Sequence, residues 1–205
     1  MTAAEAVAGS FRDPSGFLFT SDGTLYRQVD ERYRQPWDAL HESGLYSKLV
    51  GDGLLIPHAE VSTALAPRPG AYRVIRPEPI HFISYPYEWC FSQLQDAALA
   101  TLRIQQLALE RNLILKDASA YNIQFRDGRP LLIDTLSFEP YVEGTPWVAY
   151  RQFCQHFLAP LALMACRDVR LGQLLRVYID GVPLDLASRL LPLRTRLRFG
   201  LLTHI

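Results

Sequence analysis

Lysine is nearly absent from this chain. Only Lys48 and Lys116 are lysines among the 21 basic residues, and arginine supplies the rest. The 21 basic residues are matched by 21 acidic ones, so the formal charge is zero. No long run of like charge occurs, which sets aside a dedicated nucleic-acid binder with its basic face. Cysteine is scarce as well. Cys90, Cys154 and Cys166 are odd in number and far apart, which suits neither a disulfide framework nor a metal-ligand spacing. Free thiols in a reducing cytoplasm are expected. The longest apolar run, residues 157–166, is about half of what a membrane span needs and contains Pro160. It reads as a buried helix. Residues 1–9 are small and acidic rather than basic and then apolar, unlike a secretory leader. A cytoplasmic protein without a membrane span is the expectation.

What is present is a chain of 205 residues with 49% hydrophobic content, enough for a real core. Residues 17–20 and 24–29 read as strands around an Asp22-Gly23 turn. A helix is expected over residues 33–50, with Trp37, Leu40, Leu45 and Leu49 on one face and Gly51 to Gly53 as its stop. Short strands follow at 54–56 and 72–75. An aromatic segment over 80–89, broken by Pro86, leads into an amphipathic helix at 92–112, with a stripe of Leu94, Ala98, Leu102, Gln105 and Leu109. Strands at 114–115, 123–125 and 131–133 precede helices at 147–165 and 171–179. The order of elements predicts an α+β fold in two layers or lobes. The division falls into a small antiparallel-sheet part over 1–85 and a mostly helical part over 86–205.

The chemistry is concentrated in residues 113–139. A short apolar strand delivers Asp117 into a polar loop, and Asn122 follows five positions later as the chain becomes a strand again. A tight Asp127-Gly128 hairpin then returns the chain, so that Asp134 ends the partner strand. Phosphoryl transfer needs such a kit. One carboxylate orients the attacking hydroxyl and accepts its proton, while a second carboxylate and an amide oxygen hold Mg²⁺ on the phosphates. The plain alternative is an Asx-rich turn before a hairpin, in which Asp117, Ser119 and Asn122 only satisfy backbone groups.

This Asp-x-x-x-x-Asn loop, followed by an Asp about a dozen residues later across a hairpin, resembles the protein-kinase-like superfamily, including aminoglycoside phosphotransferases. The resemblance implies a two-lobed kinase-like fold using Mg-ATP on a hydroxyl or amine of a small molecule. Asp117 would be the catalytic Asp, Asn122 and Asp134 the metal ligands, and residues 82–89 the hinge where adenine lies. Tyr85, Tyr87, Glu88 and Trp89 would supply the platform for the base, or would simply pack the lobe junction.

The kinase pattern is incomplete. Leu115-Lys116 replaces His-Arg before the catalytic Asp, with Lys116 placed to steady phosphate charge. No Gly follows Asp134, no Gly-x-Gly-x-x-Gly loop precedes the hairpin, and no Val-Ala-Ile-Lys strand occurs. Arg27 is the available cation for the phosphates, with Glu42 as its candidate partner; a surface ion pair or no pair at all are the alternatives. Glu139 reads as either a further metal-shell carboxylate or a solvated acid, His156 as a core histidine, and Arg194, Arg196 and Arg198 as a solvated face.

Four runs carry a nearer resemblance: 84–89 (SYPYEW), 115–125 (LKDASAYNIQF), 133–139 (IDTLSFE) and 147–153 (WVAYRQF). They are similar to the N-terminal region of a bacterial family of class I SAM-dependent methyltransferases related to a nodulation protein. That family carries its methyltransferase domain further downstream, where this sequence has already stopped. No SAM-binding glycine loop is recognisable here. The resemblance therefore implies a kinase-like module without methyl-transfer chemistry. As a non-catalytic alternative, it would be a pseudokinase binding nucleotide or a partner protein, such as a methyltransferase.

Overall fold

The computed structural model describes residues 5–7 and 14–205. Most of the leader reading over residues 1–9 lies outside the described residues. A five-stranded antiparallel sheet forms first, in the order β1-β2-β3-β5-β4. Its strands are β1 (Glu5–Ala6), β2 (Gly16–Ser21), β3 (Thr24–Asp30), β4 (His58–Val61) and β5 (Ala71–Pro77). The β2–β3 hairpin closes on Asp22 and Gly23, both with positive φ, the left-handed pair that matches the twist of a two-residue hairpin.

Alternation along β3 puts Arg27 and Val29 on one face of the sheet, opposite Ile75 of β5. On that face Val29 and Ile75 pack with Tyr33, Trp37 and Leu136. Leu136 comes from the second half of the chain and is fully buried. The expected helix over 33–50 is two helices, α1 (Arg34–Glu42) and α2 (Leu45–Gly51). Gly44, at φ 72°, ends the first by turning left-handed. The four expected core residues are buried all the same. Residues 54–56 are not a sheet strand. They run along residues 129–132, with Ile56 N–H donating to Leu132 O at 2.9 Å and Leu132 N–H to Leu54 O at 2.8 Å. The edge strand β4 has no apolar alternation to announce it.

The helical half starts with α3 (Phe91–Leu109), three residues shorter at its C-terminus than expected. Its inward face is Leu94, Ala97, Thr101, Ile104, Gln105 and Ala108. Leu102 and Leu109, assigned to the stripe by sequence, are each 42% exposed. Four short strands follow: β6 (Leu113–Leu115), β7 (Ile123–Arg126), β8 (Arg129–Leu132) and β9 (Phe138–Pro140). β6 pairs with β9 and β7 with β8. The second hairpin repeats the device of the first, with Asp127 and Gly128 both at positive φ.

One continuous helical stretch comes next: α4 (Tyr150–Phe153), a π turn (Cys154–Leu158) and α5 (Ala159–Cys166). The π turn has an identifiable cause. Pro160 has no N–H to offer, and Gln155 O takes the Val182 N–H instead, at 2.9 Å. Gly181 lies against the bulge, where an added Cβ would sit 2.6 Å from Gln155 Cβ. The helix expected over 171–179 is a 3₁₀ turn (Val169–Gln173) and a single α turn, α6 (Leu174–Val177). α7 (Leu184–Leu190) and α8 (Phe199–His204) complete the chain. The architecture is α+β. Among the described residues, no helix is long and apolar enough to cross a membrane.

Gly181→Ala should cost at least about 2 kcal/mol, because φ is +89° there and the Cβ has no room; denaturant unfolding measures it. Stability should also fall in mild acid. Burial brings the His58 and His156 imidazoles down to about 4, with His41 adding to the effect at His58 and Asp117 and Asp180 opposing it at His156. Below 6.5 the unfolded chain takes up protons that the fold refuses. Each group then costs on the order of 1.4 kcal/mol per pH unit down to about 4. Urea unfolding at pH 7 and pH 5 reads the loss, and His156→Gln should make it smaller.

Candidate functional site

The β6–β9 and β7–β8 pairings bring two loops side by side. The first, residues 116–122, joins β6 to β7; the second, residues 133–137, joins β8 to β9. Two backbone bonds tie them together. Lys116 N–H donates to Ser137 O at 2.7 Å, and Ile133 N–H donates to Asn122 O at 2.8 Å. The loops that carry Asp117, Asn122 and Asp134 are therefore locked to each other at both ends.

Asp134 is the most heavily bonded of the three. Its Oδ1 accepts from Arg27 Nη1 at 2.5 Å and from the Leu136 N–H at 3.0 Å, and its Oδ2 accepts from Ser137 Oγ at 2.7 Å. The Arg27 and Asp134 side chains are only 12% and 18% exposed. Burial alone would raise the Asp134 carboxyl. The Arg27 guanidinium, the Ser137 hydroxyl and the Leu136 amide outweigh it and hold the group below 3.8.

Asp117 is half-buried. Its Oδ1 accepts from the Ser119 N–H and from Gln152 Nε2, both at 2.9 Å. Among the described residues, Oδ2 accepts no hydrogen bond. Ser119 in turn caps the short turn Ala120–Asn122 by accepting from Tyr121 N–H. These are the Asx-type bonds of the plain alternative, and they occupy only one carboxylate oxygen. The Asn122 side chain makes no hydrogen bond among the described residues, and its Nδ2 is buried without a partner. An unsatisfied buried amide of this kind needs an explanation.

The remaining expected residues are placed as follows. Lys116 turns toward the sheet, donating to Ser15 Oγ at 2.9 Å and lying 4.7 Å over the Tyr33 ring. Glu42 is corrected. It is exposed on α1 and forms no ion pair among the described residues, while Arg27 reaches Asp134 instead. A surface hollow of about 480 Å³ along α1 is lined by Glu42 and by Arg32, Arg34 and Asp38. A smaller one of about 280 Å³ lies near the C-terminus around Leu191 and Thr195. Neither involves the paired loops.

The aromatic segment does adjoin the first loop. Tyr85 and Tyr87 stack with centroids 5.5 Å apart, and Tyr85 lies 6.5 Å from Tyr121. Glu88 closes the Pro86–Glu88 turn by accepting from the Tyr85 N–H. Trp89 is buried against Phe125 and donates to Ser84 Oγ, so it serves packing. Gln124 of β7 fixes the segment with two bonds to the Ser84 backbone, each 3.0 Å. Sequence reasoning missed Gln152, Ser137 and Tyr33. The Tyr33 hydroxyl donates to Phe138 O at 2.5 Å and accepts from the Phe138 N–H. Gln152 and Tyr33 lie 35 and 105 residues from the groups they hold, whereas Ser137 is three residues from Asp134. Ser137 and Gln152 fall within the runs 133–139 and 147–153, which gave them no role.

As a hard oxygen set, Asn122 Oδ1 and Asp134 Oδ2 suit a divalent cation. Among the described residues, no group of three or more His, Cys, Asp or Glu side chains gathers for a metal. The chain is 35% identical to the nodulation protein NoeA of Rhizobium meliloti (strain 1021) over 201 residues, which is 97% of this chain and 42% of that protein. It thus spans less than half the length of this relative. No protein-family model matches the chain.

Removing one partner of a buried pair strands the other charge. Arg27→Ala should cost about 3 kcal/mol at neutral pH by urea unfolding. With the folded carboxyl depressed, the pair's contribution is full above 3.8 and is lost as pH falls through the folded value. In the variant burial acts unopposed by the guanidinium, so its deficit should shrink as the carboxyl protonates.

Proposed function

We propose that this chain is a kinase-like phosphotransferase module that binds Mg-ATP and passes its γ-phosphoryl group to a hydroxyl or amine of a small molecule. The observation that carries the reading is the locked pair of loops. It places a carboxylate with one unoccupied oxygen, an unpartnered amide and an arginine-held carboxylate on adjoining segments. The stacked tyrosines beside the first loop are suited to a purine ring.

Each residue has a task in this reading. Asp117 Oδ2 accepts the proton of the acceptor hydroxyl, while Oδ1 stays held by Ser119 and Gln152. Asn122 Oδ1 and Asp134 hold Mg²⁺, which when bound offsets charge on the phosphates. Arg27, on the sheet above Asp134, exchanges part of its hold on the carboxylate for a phosphate oxygen. The Arg27–Asp134 pair thereby keeps the site charge-balanced until nucleotide arrives.

Two observations favour a second reading. Asp134 already has three bonds, and the β2–β3 turn is a two-residue hairpin turn rather than a glycine-rich phosphate cover. A pseudokinase that binds nucleotide or a partner protein, in service of a methyltransferase, fits those features without catalysis.

ATP consumption in the presence of Mg²⁺ separates the two. The phosphotransferase reading expects Asp134→Ala to abolish turnover and nucleotide-dependent metal binding. It expects Asp117→Asn to lower kcat by roughly 10²–10⁴ with KM for ATP little changed. Nucleotide binding that survives in a chain with no turnover, and that Asp117→Asn leaves unaltered, would move the assignment to the binding module. Absence of nucleotide binding by calorimetry would overturn both nucleotide readings.

A further inference from the structure

The segment that leads into the long helix, residues 147–152, takes no part in the proton transfer itself, yet it is bonded at three points to the end of β6 and the catalytic loop that follows it. Trp147 Nε1 donates to Leu115 O at 2.6 Å, fixing the end of β6 just before the loop begins. Gln152 Oε1 accepts from the Ala118 N–H at 2.7 Å. Gln152 Nε2 donates to Asp117 Oδ1 at 2.9 Å. The orientation of the Gln152 amide follows from chemistry. A backbone N–H can only donate, so the oxygen must face Ala118 and the NH₂ must face the carboxylate. One side chain thus holds both the backbone and the carboxylate of adjacent residues.

One turn further along the same face, the buried His156 ring stands edge-on to Tyr121 at 6.1 Å. Gln155, within the π turn, is tied to Val182, so this part of the helix is itself fixed. We infer that Gln152 is a positioning residue for the Asp117 carboxylate. It occupies Oδ1 together with Ser119, so that Oδ2 is the oxygen presented to the acceptor. This inference rests on the phosphotransferase reading for its function and on the two Gln152 bonds for its geometry. Gln152 donates no proton to the reaction and touches no substrate.

Three variants test it: Gln152→Ala, Gln152→Asn and Gln152→Glu. Gln152→Ala should lower kcat for ATP turnover by roughly tenfold to a hundredfold, with KM for ATP within about twofold and the melting transition still cooperative. Gln152→Asn, one methylene shorter, should fall equally far, because it cannot span both partners. Gln152→Glu is the diagnostic case. Its carboxylate faces Asp117 at neutral pH and repels it, whereas the protonated acid can donate to Oδ1. Activity of this variant relative to wild type should therefore rise as pH falls from 7 toward 5. A purely structural role for Gln152 gives no such pH dependence.

Wild-type kcat in Gln152→Ala, or a pH profile of Gln152→Glu parallel to wild type, would overturn the inference. Absence of ATP turnover in the wild-type chain would sink the phosphotransferase reading instead. The positioning claim is then read by hydrogen exchange. In Gln152→Ala the Ala118 amide should lose protection while the Ile133 amide, bonded to Asn122 O, keeps its own. Equal protection of Ala118 in the variant and the wild type would overturn the inference on that route.

Discussion

An arginine on the second strand of a hairpin and an aspartate 107 residues later form the ion pair around which this chain is organised. Neither charge could remain buried without the other. The pair is possible because β3 alternates, which puts Arg27 on the same face as Val29. It is also possible because Leu136, two residues past Asp134, sinks into the cluster that Val29 and Ile75 form with Tyr33 and Trp37. Apolar burial delivers the second loop to the sheet, and the ion pair and the Tyr33–Phe138 bonds set its register there. The first loop is then fixed by its cross-bonds to the second.

This arrangement separates anchoring from presentation. Asp134 is almost fully committed, with bonds to Arg27, Leu136 and Ser137. Asp117 is half committed, and the Asn122 side chain not at all. A buried amide nitrogen without a partner is uncommon in a purely structural Asx turn. The graded occupancy fits a site in which one carboxylate organises charge, a second faces a reactant, and an amide completes a cation shell.

The sequence made the local features plain and the remote ones invisible. Both Asp-Gly hairpins were legible, because positive φ at two successive residues demands that chemistry. The spacing singled out Asp117, Asn122 and Asp134, which the fold sets on two loops joined by backbone bonds, and the amphipathic character of α3 was legible as well. The single helix over 33–50 failed at Ser43-Gly44, where a left-handed glycine outweighs continuous apolar periodicity. The Leu102 and Leu109 assignments drifted because a stripe drawn at wide spacing departs from 3.6 residues per turn. Glu42 was matched to Arg27 by analogy, while in the fold the buried Asp134 provides the far stronger partner. Gln152 and Tyr33 act across folded distance, so only the tertiary structure could place them, whereas Ser137 bonds to Asp134 three residues away and was within reach of a local reading.

The central claim is that Asn122 and Asp134 share one divalent cation brought by nucleotide. Paramagnetic relaxation with Mn²⁺ and ATP reads this directly at the Asn122 side-chain amide and the Ile133 backbone amide. The account expects both signals to broaden only when nucleotide and Mn²⁺ are present together, while the remote Gly181 amide stays sharp. Unchanged Asn122 and Ile133 signals at saturating Mn²⁺ and ATP would contradict it.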